Sequence, residues 1–209
     1  MELLKEVCVD TPDQALRAQA QGAQRIELCA RLDLDGLTPD PDFIRFALSS
    51  LEIPVHVMIR PRGGNFVYSP QEVEQMREAI LHCKRAGAPG VVFGALRPDG
   101  SLDLPLIRDL ALLAKPMKVV IHKAIDQTPD PVEALGQLLE LGVVDKVLTS
   151  GGAPTARDGA GTLQEMLNLA AGRLEVIVAG KVTNENLEDL HQLFGAREYH
   201  GRRIVGEVG

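Results

Sequence analysis

Short runs of apolar, β-branched residues alternate with amphipathic stretches along the whole chain. The runs have the length of buried strands, and the stretches between them carry apolar residues at helical spacing. Strict alternation of this kind predicts parallel strands joined by right-handed crossovers. The eight strand candidates are Leu3–Val9, Arg25–Cys29, Pro54–Arg60, Gly90–Leu96, Lys118–Ala124, Lys146–Ser150, Glu175–Ala179 and Arg197–His200.

Seven helices are predicted between these strands from their start and stop residues. Ser69-Pro70-Gln71-Glu72 has the pattern of a capping box with proline at the first helical position. Asp10-Thr11-Pro12, Asp40-Pro41 and Asp130-Pro131 have the same start chemistry, and a glycine follows most of the helices.

Eight strands alternating with seven helices in 209 residues predict a single domain, 1–209, of the α/β class with a TIM-type (β/α)8 barrel fold. The last helix is missing or rudimentary, because only Gly201–Gly209 follow the last strand. We expect something else, such as a second subunit, to cover that side of the barrel, which favours a homodimer. The alternative is an open doubly wound sheet, but no glycine-rich dinucleotide fingerprint follows the first strand.

Composition narrows the classes of function. The net charge of −7 argues against a nucleic-acid-binding protein or one bound to an anionic membrane, and the 3% of aromatic residues argues against base stacking. No apolar run approaches the length of a transmembrane helix, and no signal-peptide pattern opens the chain. The three cysteines form no CxxC motif, so a cytoplasmic protein with free thiols is expected.

Polar residues converge where this fold places its functional sites. Side chains two residues apart share one face of a strand, and the inward side chains at the carboxyl ends of barrel strands line the site. With the phase taken from the polar positions, the predicted inward residues are Glu6, Cys8, Glu27, Cys29, His56, Met58, Arg60, Glu198 and His200, with His122 or Lys123 and Thr149 or Ser150.

Buried charges require partners, and Arg60 is the predicted partner of Glu6, Glu27 and Glu198. One interpretation is a stabilising plug of ion pairs in a scaffold without chemistry. The other, which the position in the fold favours, is a functional pocket.

The loop Arg60-Pro61-Arg62-Gly63-Gly64-Asn65-Phe66 combines two guanidinium groups with a tight turn. Arginine binds carboxylate or phosphate in a bidentate manner, so the loop is a candidate anion site. Alternatively, Arg60 pairs with barrel carboxylates and Arg62 caps a neighbouring loop. The stretches Ser150-Gly151-Gly152 and Ala179-Gly180-Lys181 also suit an anion, although an ordinary turn between strand and helix is the favoured interpretation.

Cys8 and Cys29 follow glutamates on neighbouring predicted strands, and Met58 lies on the next one. Thiolate and thioether ligands favour Cu(I), so a soft-metal site is one interpretation. The other is that each cysteine packs as a small apolar residue.

At this point the chain resembles the CutC family, named for copper homeostasis. The segments that carry the resemblance are Glu6-Val7-Cys8, Gly22–Cys29, Gly36-Leu37-Thr38-Pro39, Val55–Ser69, Gly90–Leu96 with Asp99-Gly100, and Val147–Gly152. The resemblance implies a β/α barrel, a cytoplasmic location, a part in copper tolerance or trafficking, and oligomers that are often dimers. It also implies Cu(I) ligands at Cys8 and Cys29.

The sequence departs from the family pattern at three places. Lys123 replaces an arginine in the fifth strand, Ala179-Gly180-Lys181 replaces a run of glycines after the seventh, and Gly201-Arg202-Arg203 replaces small residues after the last. These changes fall where a substrate loop would lie.

Two hypotheses about function follow. The first is a protein of copper homeostasis that binds Cu(I), weakly or transiently, through Cys8 and Cys29. The second is an enzyme acting on a small anionic or phosphorylated metabolite. Its predicted acid-base residues are Glu27, His122 and Glu198, and its predicted substrate-binding residues are Arg60, Arg62, Glu6 and His200.

Overall fold

The computed structural model describes residues 3–209 and contains a closed barrel of eight parallel strands, each paired with the next and β8 paired with β1. Met1 and Glu2, which begin the N-terminal stretch considered above, lie outside the described residues. The strands are β1 (Leu4–Val9), β2 (Arg25–Leu28), β3 (Val55–Met58), β4 (Gly90–Phe93), β5 (Lys118–Ile121), β6 (Lys146–Thr149), β7 (Glu175–Val178) and β8 (Glu198–His200). The TIM-type barrel is therefore confirmed, and closure excludes the open doubly wound sheet.

Each predicted helix is present outside the barrel. The helices are α1 (Pro12–Ala20), α2 (Pro41–Ser50), α3 (Pro70–Ala86), α4 (Leu104–Ala114), α5 (Pro131–Leu141), α6 (Ala160–Ala170) and α7 (Leu187–Phe194). The capping box of α3 is confirmed, because the Ser69 side chain accepts from the Glu72 N–H and the Glu72 carboxylate accepts from the Ser69 N–H. Among residues 3–209, no helix combines the length and apolar character needed to cross a membrane.

The last strand is followed by turns and isolated bridges, and residues 201–209 contain no helix. Ile204 and Val208 of this tail are buried in the main core. The Gln21 side chain, at the end of α1, donates to the Glu207 carbonyl over 3.0 Å. The chain's own tail thus packs beside α1, where a second subunit was expected, and the homodimer stays a prediction.

Two apolar groups build the core. The larger one fills the space between the strands and the helices. The smaller one lies inside the barrel and consists of Cys29, Met58, Val92, Val120, Leu148, Ile177 and Ala179, with Leu32 packed against it. Polar residues of the barrel interior are described next.

Candidate functional site

A cavity of about 470 Å³ opens at the carboxyl ends of the strands. Its lining includes Cys8, Glu27, Met58, His122 and His200. The strand phase assumed from the polar positions therefore holds for these residues. This is the end of the barrel at which the fold places its sites.

A buried ion-pair network lies at the other end of the barrel interior. Arg25, the first residue of β2, donates from Nε to Glu6 and from Nη2 to Glu198 Oε2 over 2.5 Å, and Lys146, the first residue of β6, pairs with the other oxygen of Glu198. Two cations thus compensate two carboxylates. The interpretation as a stabilising plug fits this network.

Two predictions about charged residues are wrong in position. Arg60 was expected to pair with the barrel carboxylates, but Arg25 and Lys146 do so. Glu198 was expected near the mouth, but it is the first residue of β8 and does not line the cavity. Sequence reasoning missed Arg25, although its position two residues before Glu27 places it on the same inward face.

The network fixes the charge of Glu6. Burial opposes ionisation, but the Arg25 guanidinium and a hydrogen bond from His200 outweigh it and hold the pKa of the Glu6 carboxyl far below its usual range. Nearby His56 is buried and its Nδ1 has no hydrogen-bond partner among residues 3–209. Burial lowers the pKa of His56 to about 4, so this ring is neutral.

His200 connects the network to the cavity. Its Nδ1 lies 2.8 Å from Glu6 Oε1, and because an ionised carboxylate only accepts, Nδ1 carries the proton of this bond. Nε2 lies on the other side of the ring, 3.9 Å from Glu27 Oε2. The arrangement is that of a carboxylate–histidine pair whose second nitrogen serves a ligand.

Cys8, Glu27 and His200 form a group that could hold a metal ion. Each offers one ligand atom, and these atoms all lie within 4.8 Å of one another. Sulfur, imidazole and carboxylate together fit a borderline or soft metal. Cys29 is not in the group; its thiol lies 3.6 Å from Glu27 Oε2 and is fully buried.

Ionisation in this group is shifted by its neighbours. Burial favours a neutral imidazole, yet Glu27 and Cys8 outweigh it and raise the pKa of His200 well above its usual range. Burial also raises the pKa of the Glu27 carboxyl, which attraction to His200 offsets only in part. Burial and the Glu27 carboxylate raise the pKa of the Cys29 thiol, so Cys29 resists becoming a thiolate.

His122 supplies a neutral donor to the cavity wall. Its Nδ1 accepts from the Ala124 N–H over 3.1 Å, so Nε2 carries the ring proton. Nε2 is buried and has no partner in the part of the chain that the structure describes. Burial, with the Arg60 charge nearby, lowers the pKa of His122 to about 3.

Arg60 lines the cavity, but its terminal nitrogens donate hydrogen bonds to backbone carbonyls. Nη1 donates to the carbonyls of Leu34, Asp35 and Gly36, and Nη2 donates to that of Gly64. The guanidinium also lies 4.9 Å from the centre of the Phe66 ring. Arg60 therefore ties together the loops after β2 and β3, and only its Nε has no partner among the described residues.

Arg62 does not reach the cavity. It donates to Glu72 over 2.6 Å and to oxygens of Gly63, Asn65 and Val67, as the alternative of loop capping predicts. Its donors serve its own loop and the start of α3, so the geometry favours the capping alternative, and anion binding by Arg62 stays a prediction.

The Ser150-Gly151-Gly152 turn binds an anion that belongs to the chain itself. The Asp126 carboxylate accepts from the backbone N–H groups of Ser150 and Gly152 over 3.0 and 2.9 Å. It also accepts from the hydroxyls of Thr149 and Ser150. The sequence pattern indicated the donors of this turn correctly but not their occupant.

Comparisons with known proteins give consistent results. A family model described as the CutC family matches residues 3–205. A mouse protein, "Copper homeostasis protein cutC homolog", is 44% identical over 197 residues, covering 94% of this chain and 72% of the mouse protein. The human protein of the same name is 43% identical over 197 residues, with the same shares of 94% and 72%.

Among solved structures, a protein named CutC from Streptococcus agalactiae superimposes with a TM-score of 0.91 at 32% identity, covering 97% of this chain and 99% of that one. A 2-keto 3-deoxygluconate aldolase from Picrophilus torridus superimposes with a TM-score of 0.67 at 14% identity, covering 96% and 74% of the two chains. The second likeness shows the barrel fold alone.

Proposed function

The chain belongs to the CutC family, whose relatives are named for copper homeostasis, and from this premise we propose that it binds Cu(I) as cargo at the mouth of its barrel. The observation that supports the proposal is the convergence of Cys8, Glu27 and His200, with ligand atoms within 4.8 Å of one another. Thiolate and imidazole are ligands that Cu(I) accepts, whereas a carboxylate suits it less. Cys8 and His200 are therefore the proposed ligands, with Glu27 beside them. Because the pKa of His200 is raised, the ring must release its Nε2 proton when the ion binds, so binding would release a proton.

Cys29 has a lesser part in this proposal than in the pair implied by the family resemblance. A metal binds the thiolate, and the raised pKa of the buried Cys29 thiol makes its deprotonation costly. Cys8 is only partly buried and lines the cavity, so an arriving ion reaches it first. Glu6 orients His200 from behind, which presents Nε2 to the ion.

The test is an anaerobic titration of the reduced protein with Cu(I) against a chromophoric chelator. We expect one ion per chain and an affinity that falls more than about a hundredfold in Cys8→Ala, since even the loss of an orienting partner costs about 10–100-fold. Cys29→Ala should weaken binding less than Cys8→Ala. Cys83→Ala, which removes a buried thiol on α3, should leave binding unchanged. Unchanged affinity in Cys8→Ala would overturn the proposal, and equal losses in the Cys8 and Cys29 variants would replace it with a two-thiolate site.

A second candidate function is acid-base catalysis on a small anionic metabolite. The supporting observation is the volume of about 470 Å³ above the group, which is more than a single ion requires. Glu27 and His200, with pKa values raised from their ordinary range, are the proposed proton carriers, and His122 is the proposed neutral donor. Glu198 is not proposed, because it is bound to Arg25 and Lys146.

This candidate predicts proton exchange at carbon. The protein would be incubated in D2O with a panel of small carboxylated and phosphorylated metabolites, and deuterium incorporation followed by NMR. We expect incorporation into a member of the panel with the wild type and its loss in Glu27→Gln. Incorporation that is unchanged in Glu27→Gln, or absent with every compound, would contradict the assignment.

A further inference from the structure

A second cavity, of about 620 Å³, lies between the loops that follow β7 and β8. It adjoins the first cavity, since Asp35, Lys123, His200 and Arg202 line both. The copper proposal makes no use of this space. Its size falls within the range of small-molecule sites.

The lining is cationic, although the chain carries a net charge of −7. Lys123, Lys181, Arg202 and Arg203 contribute to it, and Asp35 is its one acidic residue. Such a concentration of one charge in a concave site attracts ligands of the opposite charge.

Two of the four cations have partners outside the cavity. Lys123 donates to Ser150 Oγ over 2.5 Å and lies 3.3 Å from Asp126, and Arg203 lies 3.3 Å from Glu207. Lys181 and Arg202, by contrast, take part in no ion pair among residues 3–209, and both side chains are exposed. These two are available to an incoming anion.

A glycine in each loop allows close packing against the preceding loop: Gly180 against the loop after β6, and Gly201 against the loop after β7. A Cβ at Gly180 would lie 2.7 Å from Ser150 Cβ and 2.8 Å from the Ala156 nitrogen, and a Cβ at Gly201 would lie 2.0 Å from the Val182 carbonyl oxygen. Both positions therefore exclude any side chain. The residues that follow these glycines, Lys181 and Arg202, both line the second cavity.

The backbone at Lys181 is held in an uncommon conformation. Its φ is +56°, in the left-handed region that non-glycine residues seldom adopt. The Asn186 side chain fixes the turn, donating to the Lys181 carbonyl over 2.9 Å and accepting from the Thr183 N–H over 2.8 Å. Strain that the surroundings maintain in this way clusters at ligand sites.

We propose that the cavity between the loops after β7 and β8 binds the phosphate group of a small phosphate monoester through Lys181 and Arg202. Barrels of this fold often bind phosphate at these two loops, arginine offers phosphate a planar pair of donors, and lysine offers a point charge. Lys123 lies where the two cavities meet, so the rest of the molecule extends towards Glu27 and His200. This inference rests on the second candidate function only in naming its substrate class.

The test is a calorimetric titration of the metal-free protein with inorganic phosphate and with glycerol phosphate, at constant ionic strength and with sodium chloride as the reference salt. We expect saturable binding of both, with the monoester at least as tight as the free ion. The double variant Lys181→Gln/Arg202→Gln should weaken both at least tenfold. The charge-preserving Lys181→Arg/Arg202→Lys should retain binding within about threefold, which separates loss of charge from loss of fold.

Arg97→Gln is the matched control, since Arg97 is an exposed cation of the loop after β4 and lines neither cavity. Equal heats with sodium chloride, equal affinities in the double variant and the wild type, or weaker binding of the monoester than of inorganic phosphate would overturn the proposal. Because the titration reads binding without turnover, its failure leaves the deuterium-exchange result standing, and the reverse also holds.

Discussion

At the amino-terminal end of the barrel interior Arg25 and Lys146 neutralise two buried carboxylates, whereas at the carboxyl-terminal end Cys8, Glu27 and His200 converge on a cavity. Both groups are polar, and both come from inward positions of neighbouring strands. The first is closed and compensated among its own members. The second has atoms that reach a space a ligand can enter.

The difference separates stability from binding within one barrel. A compensated pair contributes little in net terms but is costly to break, because a single charge is left without a partner. A group at the cavity can be changed at smaller cost to the fold and larger cost to binding. Glu6 belongs to both groups, since one oxygen accepts from Arg25 and the other from His200.

The largest effect is expected from removing Arg25, the central cation of the ion-pair network at the amino-terminal end, and it tests whether that network serves stability. Arg25→Met leaves Glu6 and Glu198 buried without their shared partner, and we expect the free energy of unfolding to fall by about 3–5 kcal/mol. Urea unfolding followed by far-ultraviolet circular dichroism measures this. Arg97→Met is the exposed control and should change stability by no more than about 0.5 kcal/mol. A loss below about 1 kcal/mol for Arg25→Met would mean that the network is not a structural unit.

Lowering the pH should lower the free energy of unfolding, because buried His56 is neutral in the folded protein. Its folded pKa is about 4 against 6.5 for the free group, so the unfolded chain binds a proton in this interval that the folded chain refuses. The contribution of the neutral His56 ring to the free energy of unfolding is complete above pH 6.5. It is lost as the pH falls towards 4, by roughly 3 kcal/mol in all.

His56→Gln removes this share of the pH dependence. Urea unfolding would be measured at pH 7.0, 5.5 and 4.5, which span the interval between the two pKa values. The free energy of unfolding should fall less with pH in the variant than in the wild type. His122 has a pKa lowered to about 3 and contributes a loss of the same sign that the variant retains. Superimposable pH profiles would show that His56 does not stay neutral in the fold.

Glu6→Gln sharpens the comparison because it touches both groups. The neutral amide orients His200 less firmly, and we expect Cu(I) affinity to fall about 10–100-fold even where the protein is fully folded. The chelator competition described above measures this. Glu207→Gln, a substitution in the tail, should leave the affinity unchanged. An unaltered affinity in Glu6→Gln would assign Glu6 to the closed group alone.

The smallest expected effect on stability is that of Cys8→Ser. Cys8 is partly exposed at the cavity, so we expect a change within about 0.5 kcal/mol. Cys83→Ser makes the same replacement at a fully buried position and should cost about 1–3 kcal/mol, because it buries a hydroxyl without a prepared partner. If the two variants lose the same free energy of unfolding in urea, Cys8 is a packing residue and not a residue of the cavity.

The alternation of apolar runs and amphipathic stretches was sufficient to predict the barrel, because strand and helix periods differ and the caps mark the helix starts. Alternation within a strand also placed Cys8 and Glu27 correctly on the inward face. Partners distant in the sequence could not be predicted in the same way. Arg60 binds backbone carbonyls 24–26 residues earlier in the chain. Every residue has such a carbonyl, so the residue type does not show which one is the acceptor.

The depth at which a residue lies along the barrel axis could not be predicted from the sequence either. Glu198 and His200 share one face of β8, yet the first meets Lys146 below and the second meets the cavity above. That difference depends on the stagger between strands, since β8 pairs Glu198 with Leu4 and His200 with Glu6. Stagger is a property of the closed sheet and not of a single strand.

The Asp126 carboxylate that fills the turn after β6 has a consequence for how an elongated ligand would lie. Two neighbouring loops of this barrel have donors suited to an anion, but one of them is permanently satisfied from within. A phosphate monoester bound over β7 and β8, as proposed above, would therefore find no second anion site in the turn after β6, because the Asp126 carboxylate occupies its donors. The Asp126 carboxylate also lines the first cavity, where its negative charge disfavours a second acidic group.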